Sequence, residues 1–221
     1  MTKLTPHVFL IGSSSLSHTF DCMVYLVIGD NGCVMIDSGA GKSAVFLEKQ
    51  LEKLGYSHGP DAIVLTHCHI DHVGGAKHFQ KKFGTKILAP EKDSDAIEAR
   101  TVHLVAADWY GIEYDPVNID DKITGGETRL IAGIEFRIVA IPGHTPGSIA
   151  VLVEIDNERV LFAQDVHGPF MTEWGSSIPQ WRESMKLLLD LQPSILCEGH
   201  YGIFRGEEVA QFINSQLKSY K

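Results

Sequence analysis

A membrane-spanning segment is missing from this chain: no apolar run approaches the ~20 residues that a bilayer requires, although 44% of the residues are hydrophobic. Met1 to His7 also lacks the charged-then-apolar opening of a secretory leader. Both absences point to a soluble, cytoplasmic protein. Basic residues are in short supply, with 19 Lys and Arg against 28 Asp and Glu and a net charge of −9. That sign argues against nucleic acid or an anionic membrane as partner. The four cysteines, Cys22, Cys33, Cys68 and Cys197, have no CxxC spacing and stand in apolar, strand-like contexts. They exclude a cysteine-built zinc site and a disulfide framework, and are expected as free buried thiols. No low-complexity linker and no repeat divides the 221 residues, so one domain over 1–221 is expected.

What the chain does have is one dense stretch, Thr66-His67-Cys68-His69-Ile70-Asp71-His72-Val73-Gly74-Gly75. It follows the apolar run Ala62-Ile63-Val64-Leu65, which reads as a buried strand, and precedes Ala76 to Phe83, which reads as a helix closed by Gly84. Side chains alternate along an extended backbone, so His67 and His69 leave the strand end on one side and Cys68 on the other. Asp71 and His72 sit where the chain turns into the helix and can face the same cleft. Donors of nitrogen and oxygen type so close together suit a divalent cation, and they exceed what one ion takes from so short a segment, which suggests two metals. For Asp71 the plain alternative is a helix N-cap.

Elsewhere the pattern alternates. Strands are expected at Val8 to Gly12, Cys22 to Ile28, Cys33 to Asp37 and Lys86 to Ala89, with a helix over Ser43 to Leu54. Asp37 ends its strand, and either supports metal ligands by hydrogen bonding or caps a turn. Glu91 to Tyr110 is helix-permissive but irregular, and Trp109, Tyr110 and Tyr114 either cover the mouth of the cleft or pack this excursion onto the body. From Thr128 short strands return, followed by helices over Pro179 to Leu191 and Gly206 to Tyr220. Strands followed by helices, twice over, imply an α+β four-layer αβ/βα sandwich: two mixed β-sheets packed face to face with helices outside.

Three later residues stand just past apolar strands: His144 within Pro142-Gly143-His144-Thr145-Pro146-Gly147-Ser148, Asp165 after Val160 to Gln164, and His200 after Ile195 to Gly199. With the motif His67-x-His69-x-Asp71-His72, they resemble, in type and order, the metallo-β-lactamase superfamily over nearly the whole chain. The resemblance implies that His67, His69 and His144 hold one metal, that Asp71, His72 and His200 hold a second, and that Asp165 bridges both. It implies two divalent ions, zinc first, with iron or manganese as alternatives. Aspartate at position 165 is similar to the glyoxalase II and lactonase branch, whereas β-lactamases of this fold generally carry Cys or Ser there. Because the sequence ends soon after His200, the basic C-terminal extension of glyoxalase II is not expected. The tyrosine that lactonases carry after the bridging aspartate is replaced by Val166-His167-Gly168-Pro169-Phe170.

The expected function is therefore a hydrolase in which a hydroxide shared by two metals attacks an ester, thioester or lactone of a small-molecule acyl substrate. Asp71 would orient that hydroxide, and His167 would hydrogen-bond a substrate oxygen or donate a proton, the alternative for His167 being a solvent-facing turn. His18 lies in a polar loop near the cleft, while His7, His58, His78 and His103 are expected at the surface or in packing roles. A persulfide dioxygenase with one iron and a metal-containing binding protein are the rival classes, and a homodimer is left open.

Overall fold

The computed structural model describes residues 1–99 and 102–220. In its N-terminal half, short runs of branched and aromatic residues form β1 (Thr2–Lys3), β2 (Val8–Gly12), β3 (Val24–Gly29), β4 (Gly32–Ile36), β5 (Ala62–Val64), β6 (Lys86–Pro90) and β7 (Asp121–Ile123). These lie side by side in chain order as one sheet, antiparallel from β1 to β4 and parallel from β4 to β7. The second sheet holds β8 (Thr128–Ile131), β9 (Ile134–Ala140), β10 (Ile149–Ile155), β11 (Glu158–Ala163), β12 (Ile195–Cys197) and β13 (Ile203–Arg205), with β11 and β12 parallel and the other pairs antiparallel. Both sheets are mixed, as expected. The edge strands β1, β7 and β13 are two or three residues long and carry too little alternation to be recognised from sequence.

The sheets meet through one core, in which Tyr25, Val27 and Ile36 face Phe136, Val151 and Phe162. On the outer face of the first sheet lie α1 (Ala44–Lys53), with Leu47 and Leu51 inward, the short α2 (Ile70–Val73), and α3 (Ala76–Phe83), with Phe79 inward. On the outer face of the second lie α6 (Ile178–Asp190) and α7 (Glu207–Ser219), which bury Trp181, Met185, Leu188, Phe212 and Ile213. Each such side chain contributes ~1.5–3 kcal/mol by leaving water, and their distribution over three cores fixes four layers. All four cysteines are buried and free.

Glu91 to Tyr110 does not form one helix. It breaks into 3-10 turns at Glu91–Asp93 and Val102–Val105 and the single turns α4 (Ser94–Ile97) and α5 (Ala107–Tyr110), with left-handed backbone at Ala99 and Ala106. Tertiary contacts override propensity here, because the Asp93 side chain is tied to Cys68, Thr145 and Gly147, and the Cys68 thiol meets the Leu104 carbonyl.

Candidate metal centre

The segments after β5, β9, β11 and β12 all emerge at carboxyl ends of strands along one edge of the sandwich. Past β5 the chain bends at His67 and Cys68 and is extended again at His69, whose φ and ψ are −69° and 146°. His67 and His69 turn to one donor group, and Cys68 turns away from it, its Sγ 3.3 Å from the Leu104 carbonyl. The chain then winds into α2, which brings Asp71 and His72 to the cluster. His69, not Asp71, occupies the N-cap position, and no side chain caps this helix, so the capping alternative for Asp71 is not realised.

The residues singled out from the sequence converge as two groups, His67, His69, His144 and Asp165, and Asp71, His72, Asp165 and His200; within each, one candidate ligand atom per residue lies within 4.8 Å of the others. The Asp165 carboxylate divides between them. Its Oδ2 is 3.7 Å from His67 Nε2 and 3.4 Å from His144 Nε2, while its Oδ1 is 3.3 Å from both His72 Nε2 and His200 Nε2. Asp71 Oδ2 completes the second group, 3.4 Å from His72 Nε2 and 3.1 Å from His200 Nε2. In the first, His144 Nε2 is 2.8 Å from His69 Nδ1.

Each group is held from behind. His144 Nδ1 donates to the Pro169 carbonyl at 2.8 Å, and His67 Nδ1 lies 3.1 Å from Thr66 Oγ1. Asp37 takes the supporting role and not that of a turn cap: its Oδ2 meets His72 Nδ1 at 2.7 Å and accepts from Thr66 Oγ1, while its Oδ1 accepts from the Thr66 N–H. Asp37 and Asp165 both adopt left-handed backbone, at φ 58° and 54°. Such conformations in non-glycine residues cost about 1–3 kcal/mol and persist where surroundings impose them.

Burial holds His67, His69 and His144 below the usual histidine range, so the first group presents neutral imidazoles. In the second, burial also opposes charge on His72 and His200 but is outweighed by carboxylates: His72 rises well above its ordinary value, and His200, beside Asp165 and Asp71, is pushed up to about 10. Burial likewise works against ionised Asp71 and Asp165, yet His72 and His200 hold both carboxyls below the ordinary range.

Among the buried atoms without a hydrogen-bond partner are His67 Nε2, Asp71 Oδ2, His72 Nε2 and Asp165 Oδ1. An unsatisfied buried polar group costs about 1–3 kcal/mol, and several converging at one place fit a cation site. Imidazole nitrogens and carboxylate oxygens suit zinc, iron or manganese. The residues present could therefore hold two ions, with Asp165 between them.

His167 reaches the same cavity and is not a solvent-facing turn residue. Its Nδ1 is 2.7 Å from Oε1 of Glu198, a fully buried carboxylate whose Oε2 accepts the backbone N–H groups of His200 and Tyr201. Trp109 and Tyr110 line the cavity as well, whereas Tyr114 packs inward and donates to the Ile97 carbonyl. His18 is one ring removed, against Phe20, which touches Tyr110. His7 pairs with Asp156, His78 with Glu48, His58 stacks near Tyr56, and His103 is exposed. Sequence reasoning missed Glu198 and Asp93. Asp93 accepts from the Cys68 N–H at 3.1 Å, the Gly147 N–H at 2.8 Å and Thr145 Oγ1 at 2.7 Å, and so ties the His67–His69 segment to the His144 loop. Glu198 directly follows β12, the strand-end signal that flagged Asp37 and Asp165, whereas Asp93 closes the 3-10 turn after β6 and carries no such signal.

A family model for the metallo-beta-lactamase superfamily matches residues 19–200. The chain is 31% identical over 132 residues to the hydroxyacylglutathione hydrolase of Serratia proteamaculans, a match covering 59% of this chain and 42% of that enzyme. The chain thus spans less than half the length of this relative. It is 26% identical over 217 residues to a metallo-beta-lactamase fold-containing protein of Sulfurisphaera tokodaii, covering 88% of this chain and 78% of the other. Among solved structures, a metallo-beta-lactamase of Cronobacter sakazakii superposes with a TM-score of 0.82 at 18% identity, over 98% of this chain and 91% of that one. At that identity the likeness is one of fold.

Proposed function

The chain belongs to the metallo-beta-lactamase superfamily, and we propose that within it the protein is a dinuclear metallo-hydrolase that cleaves an ester, thioester or lactone bond of a small molecule. The observation that carries this is the division of the Asp165 carboxylate between two sets of convergent donors. When bound, divalent ions lower the pKa of water from about 15.7 to about 7 and polarise a carbonyl. His67, His69 and His144 would hold one ion, Asp71, His72 and His200 the other, and Asp165 both. The remaining work falls to the chain's own residues. Asp71 Oδ2 orients the attacking water, and no serine or cysteine nucleophile is needed. His167, fixed through Nδ1 by Glu198, presents Nε2 to the substrate as a hydrogen-bonding or proton-donating group at the leaving atom. Trp174, buried against His69, keeps bulk water from the first group.

A single-iron persulfide dioxygenase needs only one set of ligands, and the completeness of the Asp71, His72 and His200 set speaks against it. Zinc, iron and manganese all accept these donors. Metal-loaded protein screened against esters, thioesters and lactones, with and without chelator, tests the proposal: chelator-sensitive hydrolysis of at least one class is expected, and hydrolysis by metal-free protein contradicts it.

A further inference from the structure

The cavity over the histidine and aspartate cluster encloses about 210 Å³, below the ~300–1,000 Å³ common for ligand sites. One wall consists of Trp109 and Trp174, with ring centroids 4.6 Å apart, and Trp174 in turn lies 4.4 Å from the His69 ring. Trp174 is buried, but Trp109 is 58% exposed. Around the same opening Tyr110 carries Phe20 at 5.5 Å, and Tyr201 packs on His167 at 4.4 Å. Phe20 and Tyr201 are themselves exposed. Single exposed apolar residues are ordinary, whereas several around one opening mark a place where apolar surface is to be covered.

The backbone is shaped for this display. Trp109 and Tyr110 lie on α5, a single turn bracketed by left-handed Ala106 and Gly111. An alanine in that conformation is strained, and it persists where its setting imposes it. The polar groups lining the cavity are those of the cluster, His167 and the Tyr110 hydroxyl, which meets the Asp71 carboxylate, and beyond them its sides present ring faces and Pro169.

We propose that the substrate carries an uncharged apolar acyl chain that packs against Trp109 and Trp174 while its scissile carbonyl lies over the cluster. This rests on the hydrolase function proposed above and names its substrate class. Chain length then sets turnover, because each methylene buried against the wall adds up to about fourfold in affinity.

The test has a kinetic and a binding arm, both on the full chain loaded with zinc. In the first, kcat/KM is measured for p-nitrophenyl esters from acetate to octanoate. The expected result is a rise of about two- to fourfold per methylene over the first several carbons, a flattened slope in Trp109→Ala and partial recovery in Trp109→Phe. In the second, tryptophan emission is titrated with 2-octanone and with 2-butanone, which contain no cleavable ester. Half-saturation with 2-octanone at a concentration more than about tenfold lower is expected, as is loss of that preference in Trp109→Ala. Ester turnover indifferent to chain length, and unaltered in length preference by Trp109→Ala, overturns the substrate class while leaving the hydrolase intact. Selective 2-octanone binding through Trp109 without turnover of any ester supports the apolar site and overturns the hydrolase.

Discussion

Asp37 Oδ2 lies 2.7 Å from His72 Nδ1, and both side chains are wholly enclosed. The contact orients the imidazole so that Nε2 faces Asp71 and Asp165, and it leaves the proton on Nδ1. Replacing Asp37 with Ala removes the acceptor for His72 and for both Thr66 donors. Metal affinity of the His72 group is expected to fall about 10- to 100-fold, the usual effect of losing such a partner. Chelator competition against wild type checks this, and equal affinities would mean that the contact does not tune the site.

Asp93 is the clasp between two ligand-bearing segments. Its truncation in Asp93→Ala leaves the Cys68 and Gly147 N–H groups without their acceptor, whereas Thr145 Oγ1 keeps Ser148 Oγ at 2.8 Å. Each orphaned buried donor costs about 1–3 kcal/mol, so a loss of about 3 kcal/mol, or about 10 °C in Tm, is expected for a chain of this size. Thermal unfolding of the metal-free variant and wild type measures it. A shift below about 2 °C would show that the segments hold together without Asp93.

Proton release distinguishes the two metal groups. His72 and His200 have raised pKa values, His200 near 10, so both are protonated at neutral pH in metal-free protein. His67, His69 and His144 are lowered and neutral. A metal taking His Nε2 competes with its proton, so affinity for the second group rises with pH, by about tenfold per unit for each proton displaced. Filling the first group releases none from its histidines. Calorimetry in buffers of different ionisation enthalpy reads this directly. Uptake without proton release and with the same affinity at about pH 6 and about pH 8 would contradict it.

The parts of the fold legible in the sequence are those with strong local pattern. Val8 to Gly12 and Ala62 to Val64 announce strands by apolar runs, Phe79 and Gly84 mark a helix and its end, and His67 to His72 announces a site by density alone. Less legible are features produced by distant neighbours. Nothing local marks Glu198 as the partner of His167, 31 residues away, or Asp93 as a joint between segments separated by more than 70 residues. The excursion carrying Trp109 reads as helix-permissive but irregular, and contacts with Cys68 and the His144 loop decide where its short turns fall. Gly75 and Gly199 look like ordinary loop glycines, yet a Cβ on them would stand 2.1 Å from the Ser38 carbonyl oxygen and 2.2 Å from Asp165 Oδ1. Close approach, of Gly75 to the Ser38 backbone and of Gly199 to the Asp165 carboxylate, and not turn geometry, explains both.

Elemental analysis of purified wild-type, His69→Ala and Asp165→Ala protein is the most direct test of the site, since every functional statement depends on two ions sharing Asp165. Two metal equivalents per chain are expected in wild type, with metal content and hydrolysis falling together in His69→Ala and both ions weakened in Asp165→Ala. One equivalent or none in wild type after metal loading, or two retained in Asp165→Ala, would contradict it.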